Sequence, residues 1–502
     1  MKIKAYLLAH VLPMKKSKVV IVSVDNHSRL RDAAIVIATS FLAGVAIPAM
    51  AEKADPFSTQ GLTASSMAGS IQHPLPIIPC ENIQFTKVSL SLTDVVERAL
   101  CNNPQTREAW AIARVQAAQV GVSKSAYLPS ISIAGAISRN RTGGSNSFTP
   151  RTATYDQQSV SASLNYLLYD FGARAAALEN ARQVLTALNL TQDATIQSVF
   201  LSAVQAYYQL FATQAAVTSV KKAESSALES FNAASTRYNV GSGTPADKLQ
   251  AQTAYSQAVL NRIQAEGDAR NAQGVLANSM GMDANRTFAL TPSSLQVADA
   301  QFEQNIAGLI EEARSLRPDL AAAKAQVNAA KANAEAAKSA GMPIISLSTN
   351  ISHNESSIFT TANNSAIGVS INYPLFTGYN INYRIRAAEA QIETRLAQHE
   401  KISQQVALDV WKAYQGVVTG TQAVKSSIVL VSSAIQSERV ALGRYKAGVG
   451  NILDLLTAQT SLANARMQNI QTVYNWHIAK AALAQSMGKL DFSAIASEKT
   501  SP

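Results

Sequence analysis

The chain has 502 residues, of which 15% are charged, and a formal net charge of +10. Half of that excess sits in the first 51 residues; without them 36 basic residues face 31 acidic ones, a net +5 that does not argue for a nucleic-acid partner. No stretch beyond the N-terminal segment reaches the roughly eighteen apolar residues that a membrane-spanning helix needs. Enzyme signatures are missing too: there is no H-E-x-x-H, no nucleophile elbow and no phosphate loop, and Gly241-x-Gly243 lacks the third glycine of a dinucleotide fingerprint. The six His are scattered, none at ligand spacing from a Cys, so neither a metal nor a cofactor is expected.

In chain order, basic residues between Lys2 and Arg31 precede an apolar run at 33–47 that closes on Ala49-Met50-Ala51. A positive region, a hydrophobic core and an A-x-A site define a cleaved signal peptide over residues 1–51, with Met14 as an alternative start. No Cys stands directly after Ala51, so no lipid-anchor signal is read. Residues 52–91 form a polar N-terminal segment. Cys80 and Cys101 are the two cysteines of the exported chain. An even count in an oxidising space points to a disulfide, whose loop would contribute about 3 kcal/mol in the chain-entropy model. Two unpaired buried thiols are the alternative.

The rest of the chain is a duplication. Residues 237–252 read RYNVGSGTPADKLQAQ and residues 444–459 read RYKAGVGNILDLLTAQ, with eight of sixteen positions identical at an offset of 207. SMGM at 279–282 returns as SMGK at 486–489, again 207 residues on. NYLLYDFG at 165–172 returns as NYPLFTG at 372–378. Pro104 and Pro318 each open an Ala-rich helical run, and those runs stop at YLP (127–129) and GMP (341–343). A period this long marks a duplicated half rather than a solenoid unit. The repeats are placed at 92–283 and 304–490, with a linker at 284–303 and a tail at 491–502.

Residues 173–238 run 66 positions without Gly or Pro, and residues 380–445 contain glycines but no Pro. Ile196, Val199, Phe200, Ala203, Val204, Tyr207 and Phe211 recur at spacings of three and four, one helical face. Each helix would reach about 100 Å at ~1.5 Å per residue. Helices that long must pack laterally, and abundant Ala allows close approach. An isolated coiled coil would show stronger leucine heptads.

Four segments alternate instead with period two, at about 130–140, 158–168, 344–353 and 365–375. Ile131, Ile133, Gly135 and Ile137 share one face, as do Ile345, Leu347, Thr349 and Ile351, while the other faces carry Ser, Asn, Gly or Ala. About ten residues is the length of a tilted membrane strand. Residues 139–157 and 354–364 read as hairpin tips. Tyr127, Tyr166, Tyr169, Phe171, Tyr373, Phe376 and Tyr379 gather at the opposite ends, where an interfacial aromatic girdle belongs. Four strands cannot close a barrel, and a membrane tolerates no open sheet edge. Several chains donating four strands each resolve this, and twelve strands from three chains would enclose a water-filled lumen. A soluble periplasmic scaffold would explain the helices but leave the strands without a role.

The order of these parts, the paired long helices and the RYxxGxGxxxxD turn resemble the TolC-like outer-membrane channel-tunnels over residues 92–490. The opening LSLTDVVERALCNNPQTREAW with AAQVGVSKSAYLPS is similar to the CyaE-like type I secretion branch, which exports adenylate cyclase toxin. The resemblance implies a mostly α fold with a small membrane β part: a homotrimer, a twelve-stranded barrel and an α-helical tunnel in the periplasm. It also implies a periplasmic adaptor and an inner-membrane ABC transporter, or a proton-driven pump if the cargo is a drug. The repeated phrase becomes a helix-to-helix turn at the far end of the tunnel. Gly241, Gly243, Gly448 and Gly450 free the backbone for the reversal. Thr244 to Asp247 reads as a capping box with Pro at the first helical position, and Asn451 to Asp454 has the same form. By resemblance Asp454 lines the aperture as an acidic ring and Tyr445 helps to hold it shut, with Asp247 and Tyr238 as their first-repeat counterparts. Opening would untwist the helix pairs at these turns. The chain departs from the family's best-known pattern at Gly450, where a basic residue locks the closed state, and at Thr457, where a second acid follows. That leaves the double acidic ring and the Asp–Arg lock open, with Arg444 and Lys446 near enough to substitute.

Overall fold

The computed structural model describes residues 55–69, 80, 89–146, 149–291 and 305–490. The expected signal peptide, the C-terminal tail and most of the linker lie outside the described residues.

Each repeat runs two short helices, a strand hairpin, a very long helix and a returning helix. In the first, α1 (Leu92–Asn102) opens on a capping box in which Ser91 and Asp94 bond reciprocally, and α2 (Pro104–Ser125) begins at Pro104 under the Asn103 cap. The long helix α3 (Ala173–Asn239) spans 67 residues, and α4 (Pro245–Ser279) returns along it. The second repeat gives α5 (Ile306–Leu316), α6 (Pro318–Ser339), α7 (Asn380–Lys446, again 67 residues) and α8 (Ile452–Ser486). The expected long helices are therefore each one residue longer than the Gly- and Pro-free run and its counterpart suggest. Among the described residues, no helix is long and apolar enough to cross a membrane.

The face of α3 that carries Ile196, Val199, Phe200, Ala203, Val204 and Tyr207 is buried against α1, α4 and α8 residues that include Leu100, Leu276 and Tyr474. Closer to its start, Leu178, Ala181 and Leu185 pack on Ala117 and Val120 of α2. So α2 and α4 between them flank the length of α3. Cys80 and Cys101, the latter in that core, are joined by a disulfide with Cα atoms 5.4 Å apart. The second repeat buries Val406, Val410 and Val417 of α7 against Leu309, Leu320 and Leu483. There Arg317 forks between Asp319 (2.6 Å) and Asp409 (3.0 Å). Burial alone would lower the Arg317 guanidinium, but the hydrogen bonds to those carboxylates outweigh it and hold it above its ordinary value. Two short strands, β1 (Ser89–Leu90) and β4 (Ala289–Leu290), pair in parallel and fasten the start of the expected linker to the start of the first repeat.

The remaining strands, β2 (Ser130–Asn146), β3 (Thr149–Tyr169), β5 (Ile344–Ser356) and β6 (Ala362–Asn372), form one antiparallel sheet in the order β2-β3-β5-β6. The repeats meet in the middle of it, where Ala162 faces Ile351 and Leu164 faces Thr349. Ile131, Ile133, Ile137, Val160, Ile351, Ile367, Val369 and Ile371 are exposed along the sheet, while Ser132 and Ser163 hydrogen-bond on the opposite face at 2.8 Å. The first hairpin corrects an expectation. Residues 139–157 were expected to form its tip, but the ladder continues without a break from Ser138–Gln157 to Asn146–Thr149. Alternation fails there because both faces are polar, and backbone pairing does not need an apolar face.

At the other end the aromatics collect where strands hand over to helices. Tyr169 and Phe171 meet edge to face at 4.7 Å, as do Phe376 and Tyr379 at 5.6 Å. Phe171 and Tyr379 adopt left-handed backbone angles beside Gly172 and Gly378, a sharp corner that turns strand into helix. Arg174 locks the first corner by donating to Asp170 (3.0 Å) and to the Leu167 carbonyl (2.8 Å), with its guanidinium 4.9 Å from the Tyr127 ring.

Candidate functional site at the helix turns

The two turns share one construction. In the second, Gly448 takes φ +76°, and Gly450 passes so close to the end of α7 that an added Cβ would stand 2.9 Å from backbone atoms of Arg444 and Tyr445. The first glycine is thus required by conformation and the second by space. Gly241 (φ +75°) and Gly243 divide the task in the same way.

The helix starts after them differ. Thr244 Oγ1 accepts from the Asp247 amide at 3.1 Å and Asp247 Oδ2 accepts from the Thr244 amide at 3.3 Å, so Asp247 is committed to its cap. The same form was expected for Asn451 to Asp454, and the structure corrects it. Asn451 Oδ1 accepts from the Leu453 amide at 3.0 Å, one position short of Asp454. Asp454 is left exposed, its carboxylate making no hydrogen bond among the described residues, in an open groove of about 710 Å³ that it lines with Arg444, Ser437, Ala441 and Gly450. It keeps a favourable place in the first turn of α8.

Tyr445 does not face open space. It is 6% exposed and packs with Ile452, Leu455 and Leu456 against Ala234 and Ala251 of the first repeat. Arg237 covers it: the guanidinium lies 4.3 Å from the ring centroid, and Nη2 donates to the Tyr445 carbonyl at 2.7 Å. Just above, Gln459 Nε2 donates to Ser230 Oγ at 3.1 Å. Tyr445 therefore fastens one helix pair to the other. Its counterpart Tyr238 is 40% exposed, with Lys248 over its ring 5.2 Å away.

Arg237 and the Ser230–Gln459 bond were missed in the sequence, although Arg-Tyr recurs at the offset of 207 and both glutamines stand in the repeated phrase. Also missed was an ion-pair network higher on α3 and α4. Lys221 reaches Glu266 at 3.2 Å, and Arg262 bridges Glu224 (2.7 Å) and Glu266 (3.2 Å). The Lys221 hydrogen bond, with Arg262, holds the Glu266 carboxyl below its ordinary range. The corresponding positions of the second repeat are Ile428, Val431, Asn469 and Val473. Among the described residues no cluster of His, Cys, Asp or Glu is arranged to hold a metal.

Comparison with known proteins places this architecture. Protein CyaE of Bordetella pertussis is 28% identical over 423 residues, covering 83% of this chain and 88% of that protein. The outer membrane efflux protein BepC of Brucella suis is 27% identical, covering 80% of this chain and 86% of that one. The solved outer-membrane channel OprN superposes with a TM-score of 0.71 at 21% identity, over 79% of this chain and 90% of its own. The outer membrane efflux protein model matches twice, over residues 95–282 and 309–489. With each match spanning one long helix and the turn that follows it, the chain belongs to the outer membrane efflux protein family, and it is a channel of the outer membrane whose helices form a periplasmic tunnel.

Proposed function

We propose that this channel is the exit duct of a type I secretion system, carrying a large unfolded protein of the RTX toxin type out of the cell. In this reading three copies close a twelve-stranded barrel, since β2 and β6 each have one unpaired edge within the chain and a bilayer does not admit such edges. In this reading an inner-membrane ABC transporter supplies the energy and a periplasmic adaptor connects it to the channel, since the chain carries no phosphate loop of its own. The observation that carries the cargo class is the similarity to Protein CyaE over most of both chains. It agrees with the uncharged Ser- and Asn-rich face of the sheet, which offers a passing chain hydrogen-bonding groups.

The aperture in this reading is the set of turns, with Tyr445 as the fastening and Asp454 as an acidic ring. The second reading, a drug efflux duct, is favoured by the similarity to an efflux protein at nearly the same identity. Comparison of extracellular proteins from cells with and without the gene separates the two. Loss of one large secreted protein with unchanged drug tolerance supports secretion. An intact secretome with lost drug tolerance overturns it in favour of efflux.

A further inference from the structure

The apolar face of the sheet ends in charge. On β2 that face carries Ile131, Ile133, Gly135 and Ile137, and the ladder with β3 runs without a register shift, so Arg139 and Arg141 are the next two side chains on it. The other strands leave the apolar band toward the same end. Leu164, Ala162 and Val160 of β3 give way to Gln158 and Asp156, Ile351 of β5 to His353 and Glu355, and Ile367 of β6 to Ser365 and Asn363. His353 is engaged by Asn363, with Nδ1 2.6 Å from the amide oxygen. Arg139 leans on Asp156, but at 3.6 Å and through Nε, and its side chain stays 77% exposed. Arg141 is exposed as well. Charge is thus separated across the face: two cations stand on the β2 edge, and the acids Asp156 and Glu355 stand on the inner strands.

Height fixes what meets the arginines. From Ser130 at the aromatic end to Arg139 is nine steps along β2; at ~3.3 Å each and a tilt of ~40°, the strand climbs about 23 Å. The apolar band of a membrane barrel is ~25 Å tall. With the helices in the periplasm, Arg139 and Arg141 emerge among the headgroups of the outer leaflet. Their Cα positions are about 6.6 Å apart on one face, so both guanidinium groups reach one phosphate, whose oxygens match the guanidinium fork.

We propose that Arg139 and Arg141 form a binding site for a phosphate group of the outer-leaflet glycolipid. The occupant is a lipid because the site continues an apolar stripe: acyl chains lie along Ile131, Ile133 and Ile137 while the headgroup is held above them. The inference rests on the barrel reading above and goes beyond it. Since β2 is an edge of the sheet within the chain, the bound phosphate sits beside a seam of the assembled ring, where it offsets the mutual repulsion of the two arginines.

The test titrates the full-length protein, in neutral detergent, with diphosphorylated lipid A and counts bound lipid by native mass spectrometry. Arg139→Gln with Arg141→Gln should weaken binding about tenfold or more, the loss expected for a charge-assisted contact, and should leave single-channel conductance at the parent value. Asp156→Asn releases Arg139 from its acid and should tighten binding; a purely structural Arg139–Asp156 pair gives no such gain. Dephosphorylated lipid A should bind the parent no better than the double variant. Equal binding of diphosphorylated lipid A by parent and double variant overturns the site, while unchanged conductance keeps the channel reading intact. Displacement of the lipid by millimolar inorganic phosphate shows a site for the free ion and overturns the lipid assignment.

Discussion

Replacing Tyr445 with alanine should loosen the tunnel end without unfolding the protein. The ring is almost wholly buried between the two helix pairs, and Arg237 stands 4.3 Å from its centroid. Deleting a buried aromatic side chain typically costs about 3–5 kcal/mol, and the cation over its face accounts for about 0.5–2 kcal/mol of that kind of contact. The turn lies at the extremity of helices about 100 Å long, far from the core around Phe200, so the loss falls on local separation of the tips. Taking ~3 kcal/mol, the population with parted tips rises about a hundredfold. Two measurements read this: single-channel conductance in planar bilayers, which should rise, and amide exchange at residues 234–251 and 441–456, which should accelerate while the core stays protected. Tyr445→Phe keeps the ring under Arg237 and should behave as the parent does. Equal conductance and equal exchange for Tyr445→Ala would refute the fastening role. Loss of core protection would show that the tip is not a separate unit.

Asp454→Ala should reduce cation selectivity, read as a shift of the reversal potential toward zero across a salt gradient; an unmoved potential removes Asp454 from the ion path. The Lys221–Glu266–Arg262 network should give the α3–α4 pair a pH dependence. Because folding holds Glu266 more acidic than it is in the unfolded chain, the stability it contributes is present above the ordinary carboxylate range and is lost as pH falls through its folded value. Amide exchange around Lys221 and Glu224, in the last third of α3, should accelerate over that acid window, and Glu266→Gln should flatten the response; an identical pH profile in that variant would rule the network out as the cause.

Much of the architecture was legible because its signals are one-dimensional. A run of 66 residues without a helix breaker admits little but a helix, and an offset of 207 that recurs in separate phrases can only be a duplication. The aromatic corners at Tyr169 and Tyr379 were legible because amphipathic rings concentrate where one environment gives way to another. The hairpin tip was not: beyond Ser138 neither face is apolar, so period two carries no information although the backbone still pairs. At the turns, the repeated phrase did not reveal that its two copies are built differently. Asp247 and Asp454 occupy the same place in the phrase, yet Thr244 reaches the third amide and Asn451 the second. That difference of one amide leaves one acid capped and the other free to face the groove. Tyr445 and Tyr238 are likewise identical in sequence, and what separates their exposure is which neighbour the chain itself supplies.

The sheet of a single chain has consequences for its biogenesis. Its centre is a ladder between residues far apart in the chain, such as Asn165 and Ser348, so the four strands cannot assemble until export has passed Asn372, the end of β6. Within a single chain the edges of β2 and β6 are unpaired and an isoleucine-rich face is exposed. Such a surface is an aggregation template as well as an assembly interface. If three copies close the barrel as proposed, the yield of finished channel is set by a race between their assembly and off-pathway strand addition.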